Sequence, residues 1–230
     1  MVTTRILQTD FWKLNLRPDN ATLIIRLMMA ANDLVVANAC LKRYTNDEEI
    51  DPSFRRGARM YFVNLQCGHL AEGLKIIRDI RNNVALYQEV ERCPRDIQEA
   101  FTTLVSLASE GTNEEFDKYV KRIRDKAAFH YYDKEHGLLL AALDRRAASH
   151  DLKRSKISTS SDAQLTRFTV ADDMNDTIVC RFLWEIEEQD LLGEEANRIL
   201  EQIASWVILL LNFSGVFIYQ YITDHAMARW

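Results

Sequence analysis

Residues 18–44 read PDNATLIIRLMMAANDLVVANACLKRY. Within them Leu23, Ile24, Leu27, Met28, Ala31, Leu34, Val35 and Ala39 recur at separations of three and four, the spacing that brings side chains onto one face of an α-helix. Pro18 precedes the run, and Asp19 or Asn20 can cap its start by accepting a hydrogen bond from a free first-turn amide. The spacing predicts a buried helix ending near Tyr44.

The same period governs most of the chain beyond this stretch. Three Pro and seven Gly in 230 residues leave long segments without a helix breaker. After Pro52 and the cap candidate Ser53, a second helix is expected to turn Phe54, Ala58, Tyr61, Phe62, Leu65, Leu70, Leu74 and Ile77 inward, with Asn82 and Asn83 interrupting it. Pro94 suits a first helical turn, and Ile97, Phe101, Leu104, Val105 and Leu107 continue toward Gly111. Thr112 and Glu115 form a capping-box pair, which opens a helix placed at 112–136 with the stripe Phe116, Tyr119, Val120, Ile123 and Ala127. Helical spacing resumes from Leu138 to Ala148, again at Ile178, Phe182, Leu183 and Ile186, and finally from Glu194 onward. The segment 151–171 is rich in Ser, Thr and Lys, and Thr166, Phe168 and Val170 alternate with Arg167 and Thr169, so it reads as a polar loop or a small hairpin. The expected fold is all-α, a single domain over 1–230 built as a bundle of about seven helices.

With 47% hydrophobic and 27% charged residues, the composition excludes disordered, collagen-like and disulfide-scaffold classes. Twenty-nine Lys and Arg against 34 Asp and Glu give a net charge of −5. No global basic field therefore draws in nucleic acid or an anionic membrane, and any RNA site needs a local basic patch. Cys40, Cys67, Cys93 and Cys180 form no CxxC pair and the first residues lack a signal-peptide profile, so reduced thiols and a cytoplasmic location are expected. Gln202 to Thr223 carries no charge and is long enough to cross a bilayer. Because Gln202, Ser205, Asn212, Ser214, Gly215 and Gln220 are scattered along it, a buried core helix is the expectation and a membrane span the alternative.

No P-loop, dinucleotide-binding glycine turn, nucleophile elbow or HExxH string occurs. Cys67 and His69 are too few to hold a metal, which needs three or four ligands, and no metal or cofactor is expected. The acidic pairs Glu48 and Glu49, Glu114 and Glu115, and Asp172 and Asp173 sit at element ends, where they offset helix dipoles. One string concentrates chemistry: KRIRDKAAFHYYDKEH, residues 121–136, with Arg122, Arg124, Asp125, Lys126, His130, Tyr131 and Tyr132. Guanidinium forks can grip phosphate while an imidazole moves protons near neutral pH, a combination suited to phosphodiester transfer.

This string resembles the signature of the HEPN superfamily (higher eukaryotes and prokaryotes nucleotide-binding), in which an Arg, usually followed by a polar residue, is separated from a His by four to six residues. Arg124, Asp125 and His130 match it as R-x5-H. The resemblance implies an all-helical homodimer acting on RNA as a metal-independent endoribonuclease. Arg124 and His130 of two subunits would meet in one interface cleft, supported by Asp125 and Lys126. It further implies that Tyr132, in the H-x-Y position of some family toxins, is a target for a partner nucleotidyltransferase or belongs to a toxin paired with an antitoxin.

Geometry adds a condition. At about 100° per residue, six residues put Arg124 and His130 about 120° apart on a straight helix. Either the helix distorts near Ala127 and Ala128, or the two side chains meet partners from another chain. The structural alternative is that Arg124 pairs with Asp117, Asp125 or another nearby acid while His130 is a satisfied, half-buried histidine. The functional alternative to a ribonuclease is a non-catalytic nucleotide- or RNA-binding or protein-interaction module, which the acidic balance favours.

Overall fold

A computed structural model describes residues 18–109, 111–127, 137–148, 157–158, 167–187 and 193–227. Four helices come first: α1 (Pro18–Asn46), α2 (Pro52–Asn82), α3 (Val84–Glu91) and α4 (Arg95–Ala108). Next, α5 (Glu114–Phe116), a π-helical turn (Asp117–Lys121) and α6 (Arg122–Lys126) form one continuous helix. After α7 (Gly137–Ala148), two-residue strands β1 (Ile157–Ser158) and β2 (Arg167–Phe168) pair antiparallel, with Ile157 opposite Phe168. α8 (Thr169–Thr177) runs into a second π-helical turn (Ile178–Leu183), and α9 (Glu194–Met227) closes the bundle. The fold is all-α, as its hydrophobic period requires. The short ladder lies where a hairpin was expected, but Thr169, Val170 and Ala171 belong to α8 instead of the loop.

The helix ends follow local chemistry. Asn83 accepts a hydrogen bond from the Leu86 amide and so caps α3 where α2 stops. At α5 the cap is Asn113, whose side chain accepts from the Phe116 amide at 2.8 Å. Thr112, expected in that role, instead donates its hydroxyl to the Ser109 carbonyl. The amide side chain reaches the amide three residues on, so the helix starts one residue later than a Thr112 cap would place it.

α2 is the centre of the bundle and packs against α1, α3, α4, α6, α8 and α9. Between positions 63 and 74 it is buried on nearly every side: Val63, Asn64, Gln66, Cys67, Leu70, Ala71 and Leu74 are all inaccessible. At Gly73 an added Cβ would lie 2.7 Å from Leu210 Cδ2 and 3.8 Å from Ala30 Cβ. Its missing side chain is what lets α1, α2 and α9 approach at one point. Aromatic stacking joins α4 to α9, with Phe101 and Phe213 at 5.1 Å and Phe213 and Phe217 at 5.2 Å between ring centroids. In the uncharged stretch of α9, Ile203, Trp206, Leu210, Phe213, Phe217 and Tyr221 face this core.

Two expected stripes are corrected. On α1 the buried line is Ile24, Leu27, Ala30, Leu34 and Ala37, whereas Val35 is 53% exposed and Ala39 is exposed. On α2, Tyr61 points outward, while Phe62 stacks on Tyr44 at 5.5 Å. Both helices carry apolar residues on more than one side, so periodicity alone selects a helix without selecting its inner face.

The Gly73 crossing generates a prediction. Gly73→Val should cost about 1–3 kcal/mol through overpacking, and the cost should shrink in a Leu210→Ala background, where the facing methyl is gone. A urea-denaturation double-mutant cycle measures the coupling; strict additivity would mean that the crossing does not restrict side-chain size.

Candidate functional site

The helix that carries Arg124 is held from three sides. At its start Arg198 of α9 donates to Glu115 at 3.0 Å and to the Tyr119 hydroxyl at 2.8 Å, while its other N–H groups grip Glu195. Halfway along, Lys118 and Arg122 both reach Glu185, a residue held at φ 60°. Lys118 first, then Arg122, hydrogen-bonds the Glu185 carboxylate and draws its pKa below the ordinary value. Underneath, Phe116, Tyr119, Val120 and Ile123 are buried. The Tyr119 carbonyl accepts from both the Trp184 indole at 3.2 Å and the Cys67 thiol at 3.8 Å. The π-helical turn inserts one residue into the spiral, and this lets the adjacent Tyr119 and Val120 both face inward.

Arg124 lies on the last turn of α6 with its side chain 30% exposed. Its Nε donates to Asp125 Oδ1 at 2.6 Å, a second guanidinium nitrogen meets the same oxygen, and the third stands 3.9 Å from Glu72 Oε1 of α2. Asp125 and Lys126 are exposed. α6 then stops: Ala127 has left helical geometry at φ −122° and ψ −38°, with its N–H bonded to the Ile123 carbonyl. Of the sequence-derived candidates, Arg124, Asp125 and Lys126 thus share this helix end. His130 and Tyr132, like Phe129 and Tyr131, lie outside the described residues. The 120° separation assumed a straight helix through Ala127, and the helix is not straight there. Basic residues at this end also oppose the negative end of the helix dipole, so Arg124 and Lys126 have a structural task independent of any ligand.

A second polar cluster was not read from the sequence. Arg56 of α2 meets Asp176 at 2.5 Å and Asp173 at 3.6 Å, and Arg146 of α7 meets Asp173 at 3.1 Å. Deeper in, Asn64 donates to Asn175 at 3.3 Å, and the buried Arg181 donates to the Ile186 carbonyl at 2.7 Å. Asp173 and Asp176 are three apart on α8, which signals a shared acidic face. Their partner Arg56 is 120 residues away, and no local pattern announces it. The Asp176 Oδ1 atom and the Asn64 Oδ1 atom are buried with no partner among the described residues. Burial pushes the Asp176 carboxyl up to about 6, against the opposing pull of Arg56.

The thiols are poor nucleophiles here. Burial raises Cys180 to about 12 and Cys93 to about 11, and raises Cys67 well above its usual value. His69 sits 3.5 Å from Asp33 of α1. Among the described residues no three His, Cys, Asp or Glu side chains are grouped to hold a metal. Searches against protein-family models, curated proteins and solved structures found no match.

Asp176 gives a pH prediction. Its folded pKa of about 6 exceeds the ordinary 3.8, so its protonated form contributes stability that is complete below pH 3.8 and is lost as pH rises through 6. The contribution is on the order of 3 kcal/mol at most. Thermal unfolding of Asp176→Asn should therefore show a flatter pH dependence than the parent between pH 4 and 6, and parallel curves would contradict the assignment.

Proposed function

We propose that the chain is an RNA-directed protein of the HEPN type, a metal-independent endoribonuclease in which Arg124 holds the scissile phosphate and His130 acts as general acid or base. The observation that carries this reading is the end of α6 at Lys126. Arg124 stands at the point where the chain leaves the helix toward His130, so both residues can serve one phosphate without spanning a straight helix. Asp125 fixes the guanidinium and leaves part of its fork for an anion, and Lys126 adds positive charge beside it. In the reaction the ribose 2′-oxygen attacks phosphorus, the bond to the 5′-oxygen breaks, and the imidazole moves the proton between them. A two-subunit cleft remains compatible with this chemistry but is no longer required by helix geometry. Tyr132 is the acceptor if a nucleotidyltransferase controls the protein.

The second reading is a nucleotide- or RNA-binding or protein-interaction module that does not cleave. Arg124 favours it, because Asp125 and Glu72 already compensate its charge and a phosphate must compete with them.

Incubation with end-labelled single-stranded RNA in excess chelator separates the readings. Cleavage is expected to persist with chelator, to fall by roughly 10² to 10⁴ in His130→Ala, and to fall in Arg124→Lys, which keeps the charge but loses the fork. Retention of intact RNA by the parent protein would establish the binding module, and cleavage abolished by chelator would overturn the metal-independent mechanism.

A further inference from the structure

α1 carries a second seam opposite its buried one. Positions 25, 29, 32 and 36 follow the 4-3-4 spacing of a helix-pairing seam and stay within about 60° of one another around the axis. Ile25 is 41%, Met29 60% and Val36 62% exposed, and the fourth position is Asn32. A helix that is apolar all round is normally covered all round. Its neighbour α9 runs antiparallel to it, since Asn20 at the start of α1 hydrogen-bonds Tyr221 near the end of α9 and Ala30 and Leu210 meet over Gly73. α9 also presents Ile208 and Val216 outward from its uncharged run.

Both helices are long and apolar enough to cross a membrane, with only 28% and 39% of their apolar windows buried. Their cover is therefore lipid or protein. Arg26 and Asp33 decide between them: both are exposed on one flank of the α1 seam. At a bilayer centre each would cost about 2.5–3.5 kcal/mol, whereas a protein partner with opposite charges can use them.

We propose that this partner is a second copy of the chain, bound through α1 packed antiparallel on α1 of the partner subunit about a two-fold axis near residue 30. Seven residues are close to two turns, so Arg26 and Asp33 project from the same flank. Reversing the helix about the point midway between them sets Arg26 level with Asp33 of the partner subunit. The same reversal, shifted by one residue or about 1.5 Å, sets Ile25 against the partner's Val36. Charge and shape are thus complementary to themselves, as a two-fold interface demands. The seam from 25 to 36 is about 17 Å of helix, and the outer face of α9 extends the surface toward the roughly 800 Å² per partner that a stable dimer needs. Asp33 also faces His69 of its own chain at 3.5 Å, with its side chain 55% exposed.

Sedimentation equilibrium of the full chain in detergent-free buffer tests the interface. A dimer is expected at tens of micromolar, an order set by ordinary homodimer affinities. Arg26→Asp and Asp33→Arg should each weaken it at least tenfold, and Arg26→Asp/Asp33→Arg should restore it, because the swapped charges meet again across the axis. Val36→Glu should give a monomer with unchanged helical circular dichroism. A monomeric parent, a dimer indifferent to Val36→Glu, or failure of the charge swap to restore association would each overturn the proposal. So would a parent chain that partitions into phosphatidylcholine vesicles without dimerising in water, which would assign the face to lipid.

Discussion

Everything in this bundle depends on the near-complete enclosure of α2 between Val63 and Leu74. A helix buried on one side leaves its neighbours free to slide, but one buried on most sides fixes the lateral position of each element around it. The side chains that permit this are small or satisfied. Gly73 removes the bulk that would hold α1 and α9 apart, Gln66 donates to Asn38 of α1, and Asn64 bonds Asn175. The Cys67 thiol finds the Tyr119 carbonyl on the helix that carries Arg124, so that helix takes its place from the same central element.

This arrangement places Arg124 in a contest of charges. Asp125 and Glu72 hold the guanidinium in the absence of a ligand, and the whole chain is acidic. A phosphate would have to displace carboxylates that cost nothing to keep nearby, with help from Lys126 and whatever the following segment supplies. Such competition discriminates well against weak anions and favours a ligand that brings several phosphates at once.

Much of the architecture was legible in sequence because it depends on local repetition. Pro18, Pro52, Pro94 and Glu194 mark starts that the structure keeps within a residue or so, and the pair Asn82 and Asn83 separates α2 from α3 as the pattern implies. What repetition could not supply was the choice of inner face where a helix is apolar on two sides, as Val35 and Tyr61 illustrate. Nor could it supply the two π-helical turns, since one inserted residue is invisible in a period read over a dozen. The site was legible in part for the same reason: Arg124, Asp125 and Lys126 are neighbours in the chain and stay neighbours in space. The Arg56, Asp173 and Asp176 cluster joins α2 to α8 across more than a hundred residues, and Asp173 had been assigned only to dipole compensation.

The thiols carry a consequence for reagents. Electrophiles react with thiolate, and burial holds Cys67, Cys93 and Cys180 protonated at neutral pH. Cys40 is the exception in placement, half-buried on α1, next to the seam of outward apolar residues. A maleimide therefore finds one native handle on the molecule without engineering, beside the face whose covering is in question. The three sealed thiols take up reagent only as fast as the core opens, which turns their labelling into a clock for breathing of the bundle around α2.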